Sequence, residues 1–242
     1  MRAAPFAAAL ALAVSLAAPA QSARPASVQV MVVGKTRVLR DAAPVALRAR
    51  SVRVHGRRCA VGRATPLSAL AGTRLRLRLQ DYGSCGRSPA DAGALYVTQV
   101  GPDRRGGARG WVYKVGHRAG TTGAADPSGP FGTGRRLRAG QRVLWFWCVQ
   151  DRGQQCQRTL EARPERWTVA PDAPLRVTVR GYDDNGRGVP VAGAIVRLAG
   201  AEAVTGADGV AVVTAPARAG AARLTAERDG MVRAFPRRVV VG

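Results

Sequence analysis

The sequence predicts a mainly β chain built as two units, and three observations predict it. Apolar and polar residues alternate at period two in short stretches along most of the chain, as half-buried strands do. Turn residues (Gly, Asp, Asn) separate those stretches at short intervals. Pro164, Pro171 and Pro174 surround a short polar segment; all four cysteines and nine of the twelve aromatics lie between residues 24 and 170.

The length of 242 residues suits one or two domains, and a hydrophobic content of 46% excludes a disordered polybasic tail. Residues 1–22 read as a secretory signal. Arg2 supplies the positive region, residues 7–18 form an apolar run broken by Ser15, and Ala18-Pro19-Ala20 or Ala20-Gln21-Ser22 offers small residues for cleavage. The run falls short of the roughly 20 apolar residues that span a bilayer. No cysteine follows it for lipid attachment, and no second long apolar run occurs. The expectation is a secreted, extracellular protein without a transmembrane anchor.

In the first unit, residues 24–165, strands are expected at 27–32, 52–55, 73–79, 110–115 and 143–148, with a short helix around 66–70. Thr73-Arg74-Leu75-Arg76-Leu77-Arg78-Leu79 alternates most cleanly: its leucines face a core, and Arg74, Arg76 and Arg78 line one outward face. Val143-Leu144-Trp145-Phe146-Trp147-Cys148 is apolar at every position, which predicts a central strand covered on both faces. Residues 116–134 form a long Gly-, Pro-, Ser- and Thr-rich loop, a length that marks either a functional or a mobile segment. A linker is expected at 166–174. The second unit, 175–242, carries short strands near 175–179, 196–199, 210–214, 222–227 and 237–241, with turns at Asp183-Asp184-Asn185-Gly186 and Ala207-Asp208-Gly209. Short strands with regular turns predict a small β-sandwich.

Cys59, Cys85, Cys148 and Cys156 are even in number, and an exported chain meets an oxidising compartment, so two disulfides are expected. Three connectivities are open; local economy favours Cys148–Cys156 with Cys59–Cys85. Zinc would need C-x₂₋₄-C spacing or clustered histidines, whereas no such pair occurs and the only histidines are His55 and His117. No metal site and no cofactor are expected.

Gly110-Trp111-Val112-Tyr113-Lys114-Val115, followed by Leu137-Arg138-Ala139-Gly140-Gln141-Arg142-Val143-Leu144-Trp145, resembles the signature of the transcobalamin-like C-terminal domain family. The resemblance spans roughly residues 28–148, with Gln141 where the family carries an acid and with a longer loop. It implies an α+β, β-grasp-like domain used as a binding or structural module. The helical partner domain that completes the cobalamin site in transcobalamins has no counterpart here, so cobalamin binding does not carry over. Val189-Pro190-Val191-Ala192-Gly193-Ala194-Ile195-Val196 and Thr205-Gly206-Ala207-Asp208-Gly209-Val210-Ala211 resemble bacterial Ig-like and carboxypeptidase-regulatory-like domains, which implies an extracellular spacer or adhesion unit.

Catalytic raw material is scarce. Gly83-Ser84-Cys85-Gly86 is no G-x-S-x-G elbow, and the eight acids of residues 24–170 share no local motif. A hydrolase would need a site assembled from distant residues. Gly129-Pro130-Phe131-Gly132-Thr133-Gly134 lacks the following helix of a phosphate loop, and Asp183-Asp184-Asn185-Gly186 lacks the ligand spacing of a calcium loop. Trp111, Tyr113, Trp145 and Trp147 offer either core or a ligand-stacking platform, with Phe131 anchoring the loop beside them.

Charge is the remaining signal. The net charge is +23, and 36 of the 38 basic residues are arginines, a skew expected of a GC-rich genome. Residues 24–170 hold 27 basic and 8 acidic residues (+19), whereas 171–242 hold 10 and 7 (+3). A shortage of acids, not a surplus of arginines, sets the first unit apart. No nucleic-acid motif accompanies the charge, and nucleic acid suits an exported protein poorly. The sequence therefore predicts a non-enzymatic binding or structural module engaging an anionic cell-envelope polymer or a protein partner through Arg74, Arg76 and Arg78 or the tryptophan region. The alternatives are a small-molecule carrier with residues 116–134 as a lid, and a hydrolase with a distributed site.

Overall fold

The computed structural model describes residues 25–242; the signal expected at residues 1–22 lies outside them. The first unit opens with a hairpin of β1 (Ser27–Val33) and β2 (Val38–Ala46). A second hairpin, β3 (Arg50–Val54) and β4 (Arg57–Val61), turns through His55-Gly56. Both turn residues have positive φ, 47° and 84°, as a two-residue type I′ turn requires, and glycine meets the second at no steric cost.

The short helix α1 (Pro66–Ala71) follows. The Thr65 hydroxyl accepts from Ser68 N at 3.2 Å, and the Ser68 hydroxyl accepts from Thr65 N at 3.1 Å. This reciprocal cap, with proline in the first turn and Leu67 and Leu70 fully buried, holds a helix too short to persist alone. β5 (Leu77–Asp81), a 3₁₀ turn (Pro89–Ala94), β6 (Leu95–Val100) and β7 (Asp103–Arg104) build a small antiparallel sheet. β8 (Arg109–Val115), β9 (Arg118–Ala119) and β10 (Arg142–Val149) then join the first hairpin in the order β2-β1-β10-β8-β9. β10 runs antiparallel to β8 and parallel to β1. The β1–β2 hairpin, α1, and the antiparallel β8–β10 pair whose last strand lies parallel beside β1 make a β-grasp-like arrangement, with β3–β4 and β5–β7 as additions to it.

Both faces of β10 are covered, as its composition demands. Val143, Trp145 and Trp147 pack with Val28, Val30, Val32, Leu67 and Leu70 on the helix side. Leu144, Phe146 and Cys148 pack with Met31, Val33, and Val232 and Phe235 of the second unit. The second cover comes from the other domain.

The second unit is a sandwich of two sheets. One holds β11 (Thr159–Pro164), β13 (Pro174–Tyr182), β14 (Gly188–Pro190) and β17 (Val210–Thr214), all paired on β13. The other runs β12 (Thr168–Val169), β19 (Arg237–Val241), β18 (Gly220–Glu227), β15 (Ile195–Leu198) and β16 (Ala201–Val204). Val177, Val179, Val196, Leu198, Leu224 and Val239 fill the space between them. Antiparallel pairing throughout, with only β12 parallel to β19, is Ig-like. Gly209 (φ 75°) closes the turn before β17, where a Cβ would lie 2.8 Å from Val179 O and 2.9 Å from Val191 N; only glycine fits.

Two expectations need correction. The segment 166–174 is not a linker: β11 pairs with β13, and β12 crosses to pair with β19 in the opposite sheet. Pro164, which has no N–H to donate, ends the first pairing, and the bend that follows switches sheets inside the sandwich. The sandwich thus begins at Thr159, not at residue 175, and takes Glu161 and Glu165 with it. Only six carboxylates remain in residues 25–157. The strand expected at 73–79 begins only at Leu77, because Thr73 closes a turn on Leu70 O at 2.7 Å and Arg74 adopts a left-handed φ of 63°.

Candidate functional site

The small sheet carries the site. Arg53 and His55 come from β3 and its turn, Arg78 from β5, and Arg104 and Arg105 from β7 and the residue after it; together with Tyr82 they line a groove of about 630 Å³. No carboxylate lines it. Among the described residues, none of the four guanidiniums pairs with an acid. Concave basic walls focus the field and raise the local concentration of anions.

The loop after β5 is firmly built. Asp81 accepts from Gly83 N at 3.0 Å and Cys85 N at 2.9 Å, and Ala60 N donates to Gly86 O at 2.9 Å. The backbone N–H groups of Cys85 and Gly83, with Arg57 at 3.3 Å, hold the Asp81 carboxyl below its ordinary range. The Cys59–Cys85 disulfide ties the loop to β4. Between these anchors the Tyr82 ring projects into solvent, 67% exposed. It meets Tyr96 edge-to-face at 6.3 Å, and Arg105 donates to its hydroxyl at 3.3 Å while lying 5.2 Å from the Tyr96 ring.

Of the arginines expected to share one face, only Arg78 lines this groove; Arg74 and Arg76 are exposed ahead of β5. The remaining cations were missed because they converge from segments far apart in sequence. Asp103-Arg104-Arg105 after the Gly101-Pro102 turn was the one local hint.

The aromatic strands build the core. Trp111, Tyr113, Trp145 and Trp147 are all buried, as edge-to-face Trp111–Trp147 and tilted Tyr113–Trp145 pairs at 5.7 and 5.3 Å. The polar ends of three of them are used internally. Trp111 Nε1 donates to Asp103 O at 2.9 Å, Trp145 Nε1 to Pro66 O at 3.3 Å, and the Tyr113 hydroxyl to Thr122 O at 3.0 Å. Burial pushes the Tyr113 phenol up. A stacking platform needs an open ring face; Trp111, Tyr113 and Trp145 are buried in the core, and the Trp147 ring lies under the Lys35 ammonium at 4.5 Å. The loop 116–134 is fastened over them: Leu67 N donates to Ala124 O at 2.7 Å, Thr121 N to Pro130 O at 2.9 Å, and Phe131 packs on the core under the Arg118 guanidinium.

A second polar cluster joins the two units. Glu161 of β11 accepts from Arg142 at 3.1 Å, Arg237 at 2.7 Å and the Tyr182 hydroxyl at 3.1 Å, and His117 Nε2 stands 3.3 Å away. The His117 ring stacks on Tyr182 at 3.7 Å. Burial alone would raise the Glu161 carboxyl; the hydrogen bonds and charges of His117 and Arg142 overcome it and hold the group well below the usual carboxylate range. Beside it, the fully buried Lys114 donates to Asp183 O at 2.9 Å and Tyr182 O at 3.2 Å. The turn expected at Asp183-Asp184-Asn185-Gly186 is an Asx turn, with Asp183 accepting from Asn185 N and Arg187 N. The cleft between the units, about 380 Å³, carries both signs of charge: Lys35, Arg37, Arg228 and Arg233 against Glu227 and Asp229. Arg233 already pairs with Glu227 at 3.0 Å. Unlike this cleft, the basic groove has no acid in its lining, and a smaller hollow of Lys35, Arg104 and Arg109 beside Trp147 continues its charge.

No family model matches the chain, and no curated protein matches it. Among solved structures, the D00-D0 domain of intimin is similar at 14% identity over 69% of this chain and 78% of that one, with a TM-score of 0.27, too low to imply a shared fold. Among the described residues, no helix is long and apolar enough to cross a membrane, and no three His, Cys, Asp or Glu side chains gather as metal ligands.

Proposed function

We propose that this chain is an extracellular, non-enzymatic binding module that holds an anionic cell-envelope polymer in the groove of Arg53, Arg78, Arg104 and Arg105. The observation that carries the reading is four guanidiniums converging on a concave surface with no carboxylate among them. Leaving so many like charges together costs self-repulsion that a polyanion would relieve. The signal read at residues 1–22 and the two disulfides support an oxidising, extracellular setting. His117 is engaged by Glu161 and all four cysteines are in disulfides, which supports the non-enzymatic reading. The β1–β2 hairpin, α1 and the return of β10 parallel beside β1 support a likeness to the transcobalamin-like C-terminal family, and the Ig-like sandwich serves as a spacer.

The test is binding of the purified protein to isolated cell-envelope material across a salt series. Wild type should bind and lose affinity steeply as salt screens the groove. Arg78→Glu with Arg104→Glu should weaken binding by about tenfold or more, and Arg74→Glu with Arg76→Glu by no more than about twofold, at 1.4 kcal/mol per decade. Wild-type binding by the Arg78/Arg104 variant overturns the proposal.

A further inference from the structure

We infer that the occupant of this groove is an acidic polysaccharide, with one pyranose face laid on the Tyr82 ring and its carboxylate or sulfate groups paired to the surrounding arginines. The inference rests on the anionic-polymer reading above and narrows it to one chemical class. Scattered exposed aromatics need no explanation, but Tyr82 is an exposed ring whose position is over-determined. Asp81 fixes the turn that follows it, Tyr82 N donates to Ala94 O at 3.2 Å, and the disulfide at Cys85 closes the loop three residues on. Tyr96 and Arg105 brace the ring from the side. Ordering an aromatic before binding removes the entropy cost of ordering it afterwards, and that gain is realised only if something stacks on the ring.

The groove supplies the two other things a sugar acid needs. A guanidinium presents a planar fork that matches a carboxylate or sulfate in bidentate fashion. Arg78 and Arg104 reach the groove from opposite sides of β6, so they flank a chain lying across it instead of clamping one point. Gln80 and Thr98 line the same surface with amide and hydroxyl groups suited to sugar hydroxyls. A polymer whose backbone is only phosphodiesters and acyclic units would use the arginines and leave the Tyr82 ring wet. Single-stranded nucleic acid also stacks on aromatics, but successive bases need successive open rings. Here the second ring, Tyr96, lies beside Arg105 and is only 38% exposed.

The experiment measures affinity of the full chain for polygalacturonate and heparin beside inorganic polyphosphate, poly(dT) and neutral dextran at equal charge or ring concentration. The expected result is that at least one acidic polysaccharide binds about tenfold or more tighter than polyphosphate, poly(dT) and dextran, and that Tyr82→Ala removes about tenfold of it. Tyr82→Phe, which keeps the ring and loses only the hydroxyl, should retain binding within about twofold; near-ultraviolet circular dichroism shows that both variants keep the fold. Equal or tighter binding of polyphosphate or poly(dT), or indifference to Tyr82→Ala while Arg78→Glu with Arg104→Glu abolishes binding, overturns the polysaccharide and leaves the anionic-polymer reading standing. Failure of every polyanion to bind overturns both.

Discussion

Lys114 Nζ lies 3.2 Å from Asp184 Oδ1, joining the last hairpin of the first unit to a turn of the sandwich. The ammonium has no solvent exposure, whereas the Asp184 side chain keeps 21%. Burial pulls the lysine's pKa down, and the nearby Asp184 charge opposes that pull. In a chain with 36 arginines and two lysines, a lysine here is informative. The site is an ion pair, two backbone carbonyls and the Thr159 hydroxyl around a point charge, which a compact ammonium fits and a planar fork does not.

Lys114→Met should therefore destabilise the chain by about 3 kcal/mol, since it strands Asp184 and two carbonyls. Lys114→Arg should also destabilise, by overpacking, at about 1–3 kcal/mol. Urea denaturation monitored by tryptophan fluorescence checks both. A stable Lys114→Arg protein would remove the argument that lysine is required.

Acid should loosen the junction through Glu161. Its carboxyl is held below the ordinary value of 4.5 in the folded chain, so the unfolded chain takes up its proton first. The stability it contributes is fully present above that value and drains away as the pH falls below it. Glu161→Gln should lower stability at neutral pH and flatten its decline below about pH 4.5, as thermal melts along an acid series would register.

Trp145 should act as core and not as ligand contact. Trp145→Ala should cost about 3–5 kcal/mol by opening a cavity beneath α1. Titrating wild type with any polyanion that binds the groove should leave the buried tryptophan emission unchanged, since Trp145 is 1% exposed. Strong quenching would revive the carrier alternative.

The two disulfides should separate by role. Their sequence separations of 26 and 8 residues predict losses of about 3.5 and 2.5 kcal/mol when Cys59–Cys85 and Cys148–Cys156 are replaced by alanine pairs. Only the first loss should also weaken polyanion binding, because only that bridge positions the Tyr82 loop. A binding assay on both double variants under folding conditions tests the distinction.

Several features were already written in the sequence. Period-two alternation placed most strands, because neighbouring side chains on a strand point to opposite faces whatever lies around them. The all-apolar run 143–148 announced a strand with two covers, and local pattern placed a short helix around 66–70; the Thr65–Ser68 cap that holds it emerged only in the structure. Short loop closure pointed to the cysteine pairs that formed. What covers the second face of β10, which arginines share a surface, and why a proline-rich stretch is a sheet switch all depend on pairing between distant segments. Arg53, Arg78 and Arg104 become neighbours only when three strands assemble, and Lys114 becomes buried only when the sandwich closes over β8. Local pattern fixes which way a residue points; tertiary packing decides what it meets there, because charge and burial are properties of everything nearby in space.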